Sequence, residues 1–417
     1  MTGTPRLSDP LPLPCGQTLR NRIMKSALSE ALADPAHAPS TELETLYRRW
    51  GVGGYGLVVT GNVMVDHRQL GEPGNVVIED KRDLAALTRW AAACHDGGTP
   101  IWMQLNHPGR QANALAGRRR PVAPSATAAK VPGAVTPRAL SGAEIEDLID
   151  RFATTAAVAE TAGFDGIQIH AAHGYLIAQF LSPLANQRTD DWGGDPTRRL
   201  RFLLEIVRRI RVTVGPGFAV GIKLNSADFQ RGGFSETESR DVVARLAQEG
   251  LDLIEISGGS YEAPAMMGTT RSASTLAREA YFLDYAQTVR HLARDVPLAV
   301  TGGFRSHAAM ATAIAHRTCD LIGLGRPTCT TPDAANILLQ PNQTQLPVRT
   351  VRFGLRRTLG LVADLKTLDG ALDLQWHTDQ LHRLAGGAEP DPGRPRWKTL
   401  VAMLNRNGLA AFRRQRQ

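Results

Sequence analysis

Cysteine is scarce in this chain. Its four copies, Cys15, Cys94, Cys319 and Cys329, are scattered with no C-x-x-C pair. That spacing argues against a disulfide framework, a structural zinc site and an iron–sulfur cluster alike, and it makes a reducing cytoplasm the expected address. No run of eighteen apolar residues occurs, which excludes a helical membrane span. The opening residues, MTGTPRLSDPLPLPCG, lack the basic head and apolar core of a signal peptide. No G-x-G-x-x-G follows the first strand-like run, which weakens a doubly wound dinucleotide fold.

What is present reads as an ordinary globular protein: 417 residues, 42% hydrophobic and 21% charged. The net charge of +8 is unevenly placed, because Pro341 to Gln417 holds thirteen Lys or Arg against six Asp or Glu. The first 340 residues therefore carry about one net positive charge. The basic tail, ending Phe412-Arg413-Arg414-Gln415-Arg416, is a solvated segment or a contact for an acidic surface.

Eight short runs rich in Val, Ile and Leu are each followed by a helix-like run. The runs are Arg22 to Leu28, Gly56 to Val65, Pro100 to Asn106, Gly166 to His170, Ala219 to Asn225, Leu251 to Gly259, Pro297 to Gly303 and Cys319 to Arg326. Near-continuous apolar runs of this length are strands covered on both faces. Eight such repeats predict an α/β fold, a single (β/α)8 barrel over residues 1–340. Ser141 with Glu144, and Ser235 with Glu238, have capping-box spacing at two helix starts. Residues 341–417 form a mostly helical extension, with helices over Leu346 to Leu365 and Ala371 to Leu384, a linker from Gly386 to Pro395, and helical spacing from Trp397 to Leu404. The extension packs on the barrel or on a second copy in a homo-oligomer; the sequence does not choose.

Active sites of such barrels are built at the C-terminal ends of the strands. Those ends carry Ser29, then Thr60-Gly61-Asn62, then Gln104 with Asn106-His107. His170, His173 and Tyr175 follow, then Lys223 and Asn225, Ser257-Gly258-Gly259, Thr301-Gly302-Gly303, and Gly323, Gly325 and Arg326. One Gly-Gly means only a tight turn. Two such turns on adjacent strands, with Arg326 beside them, point to a phosphate site.

The fourth run continues into GIQIHAAHGYLIAQFLSPLANQRTDDWGGDPTRR, from Gly166 to Arg199. H-x-x-H spacing occurs in zinc pairs, but those favour H-x-x-x-H on a helix with a nearby acid, and this pair sits at a strand end. The stretch resembles the signature of the Old Yellow Enzyme family, flavin-dependent NAD(P)H oxidoreductases: H-A-A-H-G-Y-L, then F-L-S-P, then N-x-R-T-D with W-G-G. The resemblance runs from about Leu11 to Thr331 and excludes the tail. The second histidine, where other members have asparagine, is similar to the bacterial-type branch.

The resemblance implies FMN as cofactor and NADH or NADPH as electron donor. It implies that Ser29 replaces the Thr or Cys that bonds the flavin carbonyl, and that Gln104 faces the flavin pyrimidine. Lys223 then stands where an arginine commonly supports negative charge on the reduced flavin; a point charge replaces a fork. Gly61, Gly302, Gly303, Gly325 and Arg326 complete the expected cofactor site. The family's first strand usually ends in a Pro-containing stretch, whereas this one reads Lys25-Ser26-Ala27-Leu28-Ser29. By alternation Lys25 shares a face with Ser29, so it either faces the flavin or forms a buried ion pair with a neighbour on strand two or eight.

The implied reaction is a two-step relay. NAD(P)H reduces the flavin and leaves; an enone or similar small molecule enters, His170 and His173 hold its carbonyl oxygen, and Tyr175 protonates the α-carbon. Two rivals use the same barrel. An amine or N-methyl dehydrogenase is compatible with Tyr261, Glu262, Met266 and Met267 at the mouth. An RNA-modifying enzyme similar to the dihydrouridine synthases would need a cysteine acid near strand three or four, and none lies there, so a nucleic-acid partner is not expected.

Overall fold

The computed structural model describes residues 3–113, 116, 119–130, 134–259, 262, 280, 282–340, 345–347, 349–351 and 365–407. Eight parallel strands close on themselves: β1 (Ile23–Lys25), β2 (Leu57–Met64), β3 (Ile101–Asn106), β4 (Gly166–Ala171), β5 (Ala219–Asn225), β6 (Leu253–Ser257), β7 (Leu298–Thr301) and β8 (Leu321–Leu324). Closure is made by β1, which pairs with β8 through Ile23 and Ile322 and with β2 through Met24 and Leu57. A two-residue strand, Val76–Val77, adds to the end of β2. The (β/α)8 barrel expected from the sequence is therefore the fold.

Helices cover the outside of the wall: α1 (Thr41–Gly51), α2 (Leu84–His95), α3 (Gly142–Thr161), α4 (Pro196–Thr213), α5 (Glu236–Leu246), α6 (Leu283–Val289), α7 (His307–Ala315) and α8 (Ala334–Leu338). Both expected capping boxes are formed. Ser141 accepts from the Glu144 amide and Ser235 from the Glu238 amide, each glutamate returning a bond to the cap residue. Such caps satisfy amides that have no partner within the helix.

The strands divide their side chains between two cores by alternation. Outward residues such as Val58, Ile169 and Ile222 join the large core under the helices. Inward residues Met24, Leu57, Val59, Trp102, Ala219, Leu253, Ala299 and Leu321 fill the lower barrel. An N-terminal hairpin, Leu11–Pro12 paired antiparallel with Thr18–Leu19, closes that end with Leu11, Leu13 and Leu19. Apolar side chains thus plug one end and leave the other for chemistry.

The extension packs on the barrel. Helix α9 (Leu365–Ala385) lies against α1, and His382 Nε2 reaches the Glu30 carbonyl at 2.9 Å. Helix α10 (Arg396–Asn407) follows the 386–395 linker. The helix expected from Leu346 does not begin there: Gln345 bridges to Ser306 and the Leu346 amide donates to the Arg305 carbonyl, so this segment is tied to the loop between β7 and α7. The rest of that expected helix, residues 352–364, lies outside the described residues, as do Phe412 to Arg416.

Candidate active site

A cavity of about 450 Å³ opens at the C-terminal ends of the strands. It gathers residues from all eight strand ends: Ser29, Asn62, Gln104, His170, Lys223, Ser257, Thr301 and Gly325 among them. It also receives His173, Tyr175, Gly302, Gly303 and Arg326. Residues as far apart in sequence as Ser29 and Arg326 meet here because each lies near or just beyond the C-terminal end of a strand.

His170, His173 and Tyr175 form one cluster. The His170 ring lies 5.1 Å from the His173 ring and 4.8 Å from the Tyr175 ring, both edge-on. His170 Nδ1 accepts from the Ala172 amide at 3.3 Å, which leaves its proton on Nε2. His173 is held by its amide on Asn225 Oδ1 at 3.1 Å, and its Nε2 lies 2.8 Å from Ser257 Oγ. Its backbone takes the left-handed φ of 59°, and Gly174 follows at 76°, a costly turn for a non-glycine residue that swings the ring back over the barrel. Burial pushes both imidazoles toward the neutral form. His170 is held well below the usual range by burial, then by His173 and Lys223, and His173 is pushed down to about 3 by burial and then Lys223. Neutral imidazoles keep an N–H to donate without carrying a charge.

Asn62 Nδ2 donates to the Tyr175 phenol oxygen at 3.3 Å. The phenol oxygen is the acceptor in that bond. The sequence named Asn62 at the end of strand two but chose its neighbour Gly61 for the cofactor site, and a bulge explains why. The β2–β3 register shifts between Val59 and Asn62, with Thr60 Oγ1 taking the Gln104 amide in place of a ladder carbonyl. The extra residue turns Asn62 inward and Gly61 outward.

Gly61 is accordingly not at the cavity. Its amide donates to Glu30 Oε1 at 2.9 Å, and a Cβ there would lie 2.0 Å from Glu30 Oε2. The glycine makes room for a buried carboxylate behind the wall. Lys25 also points away from the cavity. Its ammonium donates to the Val59 carbonyl at 2.9 Å, lies 3.9 Å from Glu30 Oε1, and sits 4.0 Å from the centre of the Trp50 ring. The carboxylate partner is Glu30, just beyond β1, and not a residue of strand two or eight. Burial pulls the Lys25 ammonium down to about 8 against the opposing pull of Glu30. Alternation carried from Lys25 to Ser29 failed because β1 ends at Lys25 and the chain after it is irregular.

Ser29 does line the cavity, and its hydroxyl donates to Glu72 Oε1. Gln104 and Lys223 enter from the interior of the barrel. Gly302 and Gly303, at φ of 133° and 92°, take conformations that favour glycine and line the cavity wall. Arg326 lies beside them, one guanidinium nitrogen 2.7 Å from Asp373. That carboxylate comes from α9, whose residues Gly370, Asp373, Leu374 and Thr378 line the cavity on one helical face. Of the mouth residues, Glu262 pairs with Arg110 at 2.5 Å; Tyr261, Met266 and Met267 lie outside the described residues.

The cavity fits a flavin mononucleotide on its donor set. Two glycines of positive φ and a guanidinium lie at one end, and an amide, an ammonium and two neutral imidazoles surround the inner part. Its volume is within the range of small-ligand sites.

Comparison with known proteins agrees. Residues 7–343 match the sequence profile of the NADH:flavin oxidoreductase / NADH oxidase family. An NADH-dependent flavin oxidoreductase of Neonectria sp. (strain DH2) is 39% identical over 374 residues, covering 83% of this chain and 48% of the relative. The chain thus spans about half the length of that relative. A second, from Hypocrea jecorina (strain QM6a), is 38% identical over 352 residues, covering 78% and 86%. Among solved structures, the Old Yellow Enzyme homologue from Zymomonas mobilis superposes with a TM-score of 0.70 at 25% identity, covering 82% of this chain and 95% of that one.

Proposed function

The chain belongs to the NADH:flavin oxidoreductase / NADH oxidase family, that of the Old Yellow Enzymes, and we propose that it uses FMN to reduce electron-poor C=C bonds of small molecules at the expense of NADH or NADPH. The observation that carries this reading is the cluster of His170, His173 and Tyr175 on the cavity that Gln104 and Lys223 enter.

Bound flavin supplies the hydride chemistry, which no side chain can. Gln104, Lys223 and Ser29 hold its ring system, while Gly302, Gly303, Gly325 and Arg326 hold its phosphate. The two histidines serve as neutral donors to the substrate's carbonyl oxygen. Their hydrogen bonds strengthen as that oxygen gains charge, which lowers the barrier. Being neutral, they do not compete to protonate the product. Tyr175 gives its proton to the α-carbon, and Asn62, donating to the phenol oxygen, stabilises the charge that the proton leaves behind.

An anaerobic absorbance titration tests this. The yellow protein should bleach with NADH or NADPH and recolour with cyclohexenone. Tyr175→Phe should keep the bleaching and slow recolouring by about 10²–10⁴-fold, the usual worth of a general acid. Recolouring at the parent rate would remove Tyr175 from the chemistry. Bleaching by an amine with no response to the enone would replace the reaction itself.

A further inference from the structure

Beneath the cavity, polar side chains from four strands cross the barrel interior in one relay. Gln104 Nε2 on β3 donates to Gln168 Oε1 on β4 at 2.7 Å. Gln168 Nε2 donates to Glu255 Oε2 on β6 at 2.6 Å. Glu255 Oε1 lies 3.0 Å from Lys223 Nζ on β5. Only the two ends line the cavity; Gln168 and Glu255 are fully buried and do not reach it.

The direction of the relay follows from its one acid. An ionised carboxylate only accepts, so Gln168 must turn its amide nitrogen toward Glu255 and its oxygen toward Gln104. Gln104 then spends its nitrogen on Gln168 and keeps its Oε1 outside the relay. With a glutamine at 255 either amide orientation would satisfy the chain. The same carboxylate neutralises Lys223 in surroundings where an unpaired charge is costly. The two histidines beside this pair, His170 and His173, are held toward the neutral form by burial.

We propose that Glu255 is a positioning residue for the flavin: without touching the cavity it sets the polarity of Gln104, and by offsetting the charge of Lys223 it holds down the reduction potential of the bound cofactor. The inference rests on the flavin lying against Gln104 and Lys223. Reduction adds negative charge to the flavin; a lysine offset by a buried carboxylate stabilises that charge less than an unopposed one.

The test is the two-electron potential of the flavin-loaded, full-length protein, measured by anaerobic equilibration with reference dyes. Glu255→Gln should favour the reduced form about tenfold, a rise of ~30 mV for a two-electron couple. An unchanged or lower potential overturns the proposal. Lys223→Met should lower the potential; if it does not, the placement of the flavin fails, a different result from failure of the Glu255 inference. Gln168→Leu cuts the relay but spares the ion pair. It should weaken FMN binding about tenfold, read by fluorescence, while the potential stays in place. FMN affinity equal to the parent's would refute the link from Glu255 to Gln104, also where Glu255→Gln does not fold.

Discussion

Two buried strand lysines face opposite sides of the same wall. Lys25 on β1 points outward, between the barrel and α1, where Trp50 and Tyr47 flank its ammonium and Glu30 balances it. Lys223 on β5 points inward, paired with Glu255, and one side of it meets the cavity. Each has a glutamate, and each is almost without solvent exposure. The difference lies in what surrounds the pair. Around Lys25 everything is protein: a carbonyl, two aromatic rings and a carboxylate itself held by Tyr47 and the Gly61 amide. That arrangement fastens a helix to the wall. Lys223 is left one direction in which a ligand can become its partner. A buried charge serves function only where the fold leaves such a direction.

The comparison breaks most directly at Lys25. Lys25→Ala leaves Glu30 buried without its cation and opens a gap beside Trp50. Removing one partner of a buried pair costs about 3–5 kcal/mol, to be read from urea unfolding. FMN affinity of the folded protein should equal the parent's. Weaker FMN binding at unchanged stability would put Lys25 back at the cofactor. Lys223→Met should show the converse in its rates. Bleaching by NADH, measured per bound flavin, should slow by about 10²-fold, as for loss of one group that stabilises developing charge. A parent-like bleaching rate would make Lys223 as structural as Lys25.

The barrel was legible because its signal repeats. Eight apolar runs of similar length, each with a helix behind it, point to one fold, and an error in one run leaves the rest intact. The candidate cluster was legible because His170, His173 and Tyr175 are adjacent in sequence, so one strand end carries all three. What the sequence hid were changes of face. Gly61 and Asn62 exchange roles through one extra residue in β2, and alternation past the end of β1 misplaced Lys25. Neither the bulge nor the early strand end has a signature in composition. The polar relay was invisible for another reason. Gln168 and Glu255 are single polar residues within apolar strands, and only closure of the barrel brings them together. Asp373 was hidden by distance, since the tail reaches the cavity only after α9 docks on α1.

The finest test of the comparison is acid sensitivity. His170 and His173 are lowered by burial and then by Lys223, whereas Lys25 is not among the causes. A histidine whose folded value is depressed takes up its proton more readily when unfolded. Its contribution to stability is therefore complete above about pH 6.5 and is lost as the pH falls toward the folded value, about 3 for His173. Urea unfolding of the parent should lose ~1 kcal/mol for each of the two histidines between about pH 6.5 and 5, a figure discounted for the side of His173 that faces the cavity. In Lys223→Met the loss should shrink, because the cation that opposed protonation is gone. In Lys25→Met the shape of the acid limb should match the parent's, whatever the drop in overall stability. Equal changes in the two variants would mean that Lys25 acts on the histidines across the wall as strongly as Lys223 does.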